Sequence, residues 1–187
     1  MATVLQVAEY FLTHNKPLES GWITPLKLQK LVYFAQGHAL ATLGRPLFDE
    51  LIYAWENGPV CLSLYNRVKL SLDSRVKNFK AAPLDYIFET TAEEKRALKA
   101  ARKPFTGEEL DLLGNILACY GDYTAEALSR MSHETPPWQE SFPGRVITIK
   151  AMKGFFTAQL KVDKIEIITL SSEEADETAS RLGLALQ

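Results

Sequence analysis

The sequence has few of the residues from which most catalytic and metal sites are built. It contains two cysteines and three histidines among 187 residues, and the spacings of the histidines (His14, His38 and His133) match no zinc motif. It has no phosphate-binding glycine loop, no dinucleotide-binding glycine pattern and no nucleophile elbow. The sequence therefore predicts no metal, no cofactor and no catalytic residue.

Strong net charge and long apolar runs are also missing. The formal net charge is −2, which argues against nucleic acid as a partner because non-specific binding to it needs a concentrated positive field. No apolar run approaches the ~18 residues of a membrane helix, and the first residues do not resemble a signal peptide. Cys61 and Cys119 are predicted to be buried in helices as small hydrophobic residues of a reducing compartment. We therefore expect a cytoplasmic protein that makes no membrane contact.

The length and composition are typical of one globular domain, with 47% hydrophobic and 24% charged residues. We predict a domain over residues 1–160 and a C-terminal extension over 161–187, because acids without bases cluster after residue 171. The extension is predicted to contain an edge strand at 164–168 and an acidic helix. The predicted fold class is mostly α (α+β), a compact helical domain with a small antiparallel sheet of short strands.

The clearest local prediction is a long central helix. Thr24 can cap it, Pro25 can open it, and Gly44 can end it just after Leu43. Its apolar residues fall on one stripe at helical spacing, which predicts an amphipathic helix. The stripe consists of Leu28, Leu31, Val32, Ala35, Ala39 and Leu43. Lys27, Gln29, Lys30 and Gln36 lie off the stripe, so we expect the two lysines at the surface.

Other elements follow from turn and capping signals. We predict a first helix over 3–13, a strand from Leu51 to Trp55, a turn at Asn57–Gly58 and a helix opened by Pro59. Capping signals predict further helices at Thr91–Glu94, from Thr106–Glu109 to Gly121, and from Thr124 to His133 before Pro136–Pro137. We also predict a helix at the end of the mostly apolar segment Arg145–Gln159 and a terminal helix over Ser171–Leu184. The segment Asp85–Glu89 is predicted to be extended.

Three features could carry function, and each has a structural alternative. His133 and Glu134 could form an acid–base pair, or His133 could close a helix C-terminus as a favoured cation while Trp138 packs onto the core. Residues 55–59 could form a binding loop or simply connect a strand to a helix. His38 is more consistent with a packed imidazole than with a general base. The basic stretch 67–103 could be a solvated face or a contact for an acidic protein partner.

Several blocks together resemble one protein family. They are residues 24–33, 44–50 and 54–60 with Tyr65, and Ser132–His133–Glu134 with Pro137–Trp138. Over about residues 3–158 the chain resembles the Panacea domain of SocA-like and prophage-associated bacterial proteins.

The resemblance implies an antitoxin that neutralises a cognate protein toxin by direct binding. Members of the family are paired with unrelated toxins, including small alarmone synthetase-like enzymes that modify transfer RNA, and one member delivers its toxin to a protease. The matching blocks nominate as partner-binding or signature positions Lys27, Lys30, Tyr33, Trp55, Asn57, Tyr65, His133, Glu134 and Trp138.

Two other functions remain as alternatives. One is a DNA-binding regulator of its own operon, and the other is an enzyme that uses His133 and Glu134 together with Asn57. Our hypothesis is that the shared blocks build a scaffold, while residues 67–103 and the extension select the toxin.

Overall fold

The computed structural model describes residues 1–14, 23–71 and 105–169. Within these ranges the chain is mostly helical and has one two-stranded antiparallel sheet, which confirms the predicted fold class. The elements are α1 Val4–His14, α2 Pro25–Thr42, β1 Ile52–Trp55, β2 Gly58–Cys61, α3 Leu62–Ser71, α4 Gly107–Tyr120, α5 Ala125–His133, α6 Pro136–Ser141 and α7 Ile149–Thr169. The predictions for residues 85–89, 91–94 and 171–184 lie outside the described residues.

Helix α2 is the centre of the fold. The Thr24 side chain accepts a hydrogen bond from the Lys27 amide, Pro25 is the first helical residue, and Gly44 has a φ of 71° just beyond the end, all as predicted. However, the amphipathic interpretation is wrong, because every residue from 27 to 37 is buried. Helices α1, α4, α5 and α7 and strand β2 all pack against α2 and leave it no solvent-facing side there.

The chain after β1 turns back as a hairpin and does not enter a helix at Pro59. Pro59 belongs to β2, opposite Ala54, and α3 begins only at Leu62. The N–H and C=O groups of Ala54 point away from β2 and bond to the Arg145 carbonyl and the Gly144 amide. Pro59, which lies opposite Ala54, therefore needs no N–H group facing β1. A proline therefore fits this strand. The same correction moves Cys61 from a predicted helix into β2, where it is buried.

Two of the remaining helices, α4 and α5, begin where their capping signals predicted, whereas α6 was not predicted because Pro136–Pro137 was interpreted only as the end of the preceding helix. Thr106 and Glu109 form a complete capping box on α4, which ends at Gly121, and the Thr124 side chain caps α5. Cys119 lies half-buried in α4. The predicted edge strand at 164–168 is wrong, because α7 runs through it. Five alternating residues do not distinguish an isolated strand from the end of a long helix.

Candidate protein-interaction site

The polar side chains of α2 are internal hydrogen-bonding groups that hold neighbouring backbone in place. The Gln29 amide donates to the Cys61 carbonyl (3.3 Å) and accepts from the Cys61 amide (2.8 Å). Gln36 makes the same kind of contact with Leu47 and Phe48. These two side chains therefore stabilise the segments on either side of the hairpin.

The two nominated lysines are also internal, which corrects the prediction that they lie at the surface. Lys27 and Lys30 are 2% and 0% exposed. The Lys27 ammonium donates to the Gly121 carbonyl, and burial lowers its pKa against the opposing charge of Asp122. The Lys30 ammonium donates to the Pro59 carbonyl at 2.9 Å, and burial lowers its pKa from 10.5 to about 7. Both side chains are fixed structural donors.

Gly58 is required at the hairpin turn for two independent reasons. Its φ of 93° is in the left-handed region that side chains disfavour. A Cβ atom there would lie 2.6 Å from Lys30 Nζ and 2.7 Å from Ser132 Oγ. The turn therefore packs directly onto the α2 lysine and the end of α5.

We expect Gly58→Ala to destabilise the protein by about 2–4 kcal/mol, because it adds backbone strain to a steric clash. Gly154→Ala is the matched control, since nothing lies within 4 Å of a Cβ at that helical position. It should raise stability by about 0.5–1 kcal/mol. Urea unfolding of both variants checks the pair, and equal effects of the two substitutions would contradict the structural explanation.

Tyr33 is a core residue that ties α2 to the connection between α5 and α6. Its hydroxyl hydrogen-bonds the Thr135 hydroxyl at 2.8 Å, and Thr135 donates to the Ser132 carbonyl at 2.7 Å. Burial raises the pKa of Tyr33. This contact fixes the position of residues 132–135, from which the neighbouring side chains project in different directions.

A chain of aromatic side chains lies beside the hairpin, and we call it the aromatic row. It consists of Tyr65, Trp55, Trp138, His133 and Phe142. Trp55 contacts Tyr65 edge-on, with ring centroids 5.1 Å apart, and its carbonyl accepts the Trp138 indole N–H at 3.1 Å. The Trp138 ring lies 4.2 Å from His133 and stacks on Phe142 at 4.9 Å. Phe142 is exposed and the other four are half-buried.

His133 contributes its imidazole ring to the row. It is the last residue of α5, as predicted, and Trp138 packs against the core. Burial and the Lys30 charge lower the His133 pKa, while the Glu56 carbonyl opposes them, so the surroundings of this helix end favour the cation less than the sequence suggested. Its Nε2 atom is buried and has no hydrogen-bond partner within the described ranges.

The other nominated residues do not assemble an acid–base site with His133. Glu134 is exposed and lines a separate cavity, and no ion pair joins it to His133. Asn57 lies exposed at the hairpin tip, where its carbonyl accepts a hydrogen bond from the Ser129 hydroxyl. Among the described residues there is also no group of three or more His, Cys, Asp or Glu side chains arranged to hold a metal.

The separate cavity is an open groove of about 590 Å³ that is bounded by α2, α4, α7 and the α5–α6 connection. Its walls are mainly aromatic and aliphatic, and its lining includes Phe34, His38, Ile116, Tyr120, Glu134 and Phe156. His38 accepts or donates one hydrogen bond with the Tyr120 hydroxyl at 2.9 Å, and burial lowers its pKa to about 4. His38 is therefore a packed neutral imidazole, as predicted.

Comparison with known proteins agrees with the blocks identified in the sequence. The profile of the family described as "Antitoxin SocA-like, Panacea domain" matches residues 28–139. This chain belongs to that family. Antitoxin SocA of Caulobacter vibrioides (strain NA1000 / CB15N) is 53% identical over 38 residues, which are 20% of each chain. The match thus spans about a fifth of the length of that curated relative, and no solved structure matches.

The Panacea match contains Gln29, Lys30, Tyr33 and Gln36 of α2 and the aromatic row up to Trp138, whereas Lys27 lies just before the matched residues. Sequence reasoning nominated all members of the row except Phe142, which lies just beyond the matched residues. It also missed the groove, although the helical spacing of Ile116 and Tyr120 on α4 was visible. Among the helices described for this Panacea-family chain, none has the length and apolar character needed to span a bilayer.

Proposed function

We propose that this Panacea-family protein is an antitoxin that neutralises a cognate protein toxin by direct binding, with the aromatic row at the centre of the interface. The observation that supports the proposal is the row itself, because four of its five members lie within the residues that match the family and it lies partly open to solvent. In this proposal the chain acts by covering the toxin and performs no chemistry of its own.

The row has the composition expected of an interface centre. Tryptophan and tyrosine are enriched among residues that dominate binding energy, because they bury a large area at a low entropic cost. The Trp138–Trp55 hydrogen bond and the stacking of Trp138 on Phe142 hold the rings before any partner arrives. Preorganised side chains lose less freedom on binding. A stable complex would bury ~1,200–2,000 Å² in total around this centre.

The finer parts of the proposal concern the partner. The toxin would be one of the classes that the family resemblance implies, such as a small alarmone synthetase-like enzyme that modifies transfer RNA. Residues 67–103 and the extension 161–187 would select it, and delivery to a protease is a further outcome of the same binding. Comparing the full chain with a chain ending at Leu160 tests the second point, since unchanged toxin affinity would reject a role for the extension.

We expect Trp55→Ala and Phe142→Ser each to weaken toxin binding about 30-fold or more and to abolish growth rescue. The experiment co-expresses each variant with the product of the neighbouring gene, scores growth, and measures affinity by calorimetry on the purified pair. Tyr123→Ala is the control, because Tyr123 is 47% exposed, close to the 40% of Phe142, but lies outside the row.

Thermal melting of each variant separates loss of binding from loss of folding. Full rescue and unchanged affinity in folded Trp55→Ala and Phe142→Ser would remove the row from the interface. Rescue that persists without any measurable association would instead overturn neutralisation by binding.

A further inference from the structure

We propose that the groove between α2, α4 and α7 binds a basic, apolar helical segment of the toxin, with an arginine or lysine against Glu134 and an apolar side chain between the aromatic walls. This inference rests on the proposed function, because it assigns a second contact to the same partner. It differs from the aromatic row in the chemistry it recognises, since the row offers no carboxylate.

The walls of the groove are ordered by contacts among themselves. Phe34 and Tyr120 stack with their centroids 4.5 Å apart and their planes 5° apart. Phe156 meets Phe34 and His38 edge-on, at 6.4 Å and 5.2 Å. A cavity of about 590 Å³ is within the usual range of ligand pockets, ~300–1,000 Å³. These walls would accept an inserted leucine or aromatic side chain without rearranging.

The electrostatics of the groove favour a cation. Glu134 is the one charged side chain among the residues that line it. The carboxylate is exposed and makes no ion pair within the described part of the chain, where Arg45–Glu109 is the ion pair present. A cation at this position would also lie near aromatic walls, whose faces attract positive charge. Charge complementarity therefore selects a basic occupant over an acidic or purely apolar one.

The groove and the aromatic row meet at one short connection. His133 contributes to the row, and the next two residues, Glu134 and Thr135, line the groove. The hydrogen bond between Thr135 and Tyr33 fixes this connection to α2. Consecutive residues therefore join the two surfaces, and in this proposal a toxin that covers the row also reaches the groove.

The test uses a fluorescein-labelled alanine-based helical peptide of 14 residues with two leucines and one arginine on one face. Two matched peptides replace the arginine by glutamate or the leucines by alanine. Fluorescence anisotropy with the full chain should show binding of the first peptide and at least tenfold weaker binding of the other two. Binding that is equal for all three peptides would overturn the proposal.

Variants at the groove locate the binding. Glu134→Gln should weaken the arginine peptide about fivefold, and Asn115→Arg, at an exposed lining position, should weaken it more by blocking the groove. Glu126→Gln, an exposed acid on α5 outside the lining, is the control and should bind like wild type. Equal loss in Glu134→Gln and Glu126→Gln would show non-specific charge attraction and overturn the proposal.

Toxin binding separates this inference from the proposed function. If Glu134→Gln and Asn115→Arg bind the toxin normally while variants of the row do not, the groove contact is wrong and the antitoxin proposal stands. If no toxin binds even the wild-type chain, the antitoxin proposal fails, whatever the peptides show.

Discussion

Raising the pH from 7 to 9 should increase the free energy of unfolding by roughly 2 kcal/mol through Lys30 alone. In the folded protein the pKa of Lys30 is lowered from 10.5 to about 7, so the ammonium loses its proton across this range. In the unfolded chain the same lysine stays protonated. Because the unfolded state then binds more protons, stability rises with pH. Below about pH 7 Lys30 is protonated in the folded protein, and the full cost of burying its ammonium lowers the free energy of unfolding.

The measurement is the difference between wild type and Lys30→Met in urea unfolding at several pH values. The pKa of Lys27 is also lowered and that of Cys61 is raised to about 11, but both groups remain in the variant and cancel in the difference. Lys150→Met, at an exposed position, should keep the wild-type slope. Parallel pH profiles for wild type and Lys30→Met would show that Lys30 is not buried as a titrating donor.

Gln36→Leu should cost about 3–5 kcal/mol, the largest effect that we expect from one uncharged side chain. The Gln36 amide donates to the Phe48 carbonyl at 2.8 Å and accepts from the amides of Leu47 and Phe48 at 2.8 and 3.3 Å. Leucine has a similar size but satisfies none of these buried groups. Each group left without a partner costs about 1–3 kcal/mol.

The matched control is Gln139→Leu. Gln139 is exposed and donates one hydrogen bond to the His133 carbonyl, a group that water can also reach at this surface position. We expect a change within about 0.5 kcal/mol. Chemical denaturation of both variants checks the comparison, and a Gln36→Leu protein as stable as the control would exclude a structural role for these hydrogen bonds.

The sequence predicts where helices begin in this fold better than it predicts which side chains are buried. Caps depend on residues a few positions apart, so the boundaries set by Thr24, Thr106 and Thr124 follow from the sequence. The burial of Lys27 and Lys30 depends on which distant carbonyls their ammonium groups meet, and periodicity contains no information about that. The same reason explains the helix that was wrongly predicted at Pro59. Its place in a strand depends on Ala54 turning its backbone groups toward residues 144 and 145.

The candidate site shows the same division. The blocks that resemble the family identify Trp55, Tyr65, His133 and Trp138. Only the fold shows that two ring contacts and a hydrogen bond from the Trp138 indole to the Trp55 carbonyl connect them. The groove was not predicted because its walls come from three helices far apart in sequence. A pattern within one helix cannot indicate how the faces of several helices meet.

The outer edge of β2 is closed to pairing with a strand of another protein. Gln29 and Lys30 already occupy the outward backbone groups of Cys61 and Pro59, so a foreign strand cannot extend the hairpin along that side. Recognition there must use side chains, which single substitutions can alter while the backbone stays the same. In related proteins, a few substitutions on this surface would then change the binding partner while the fold stays the same.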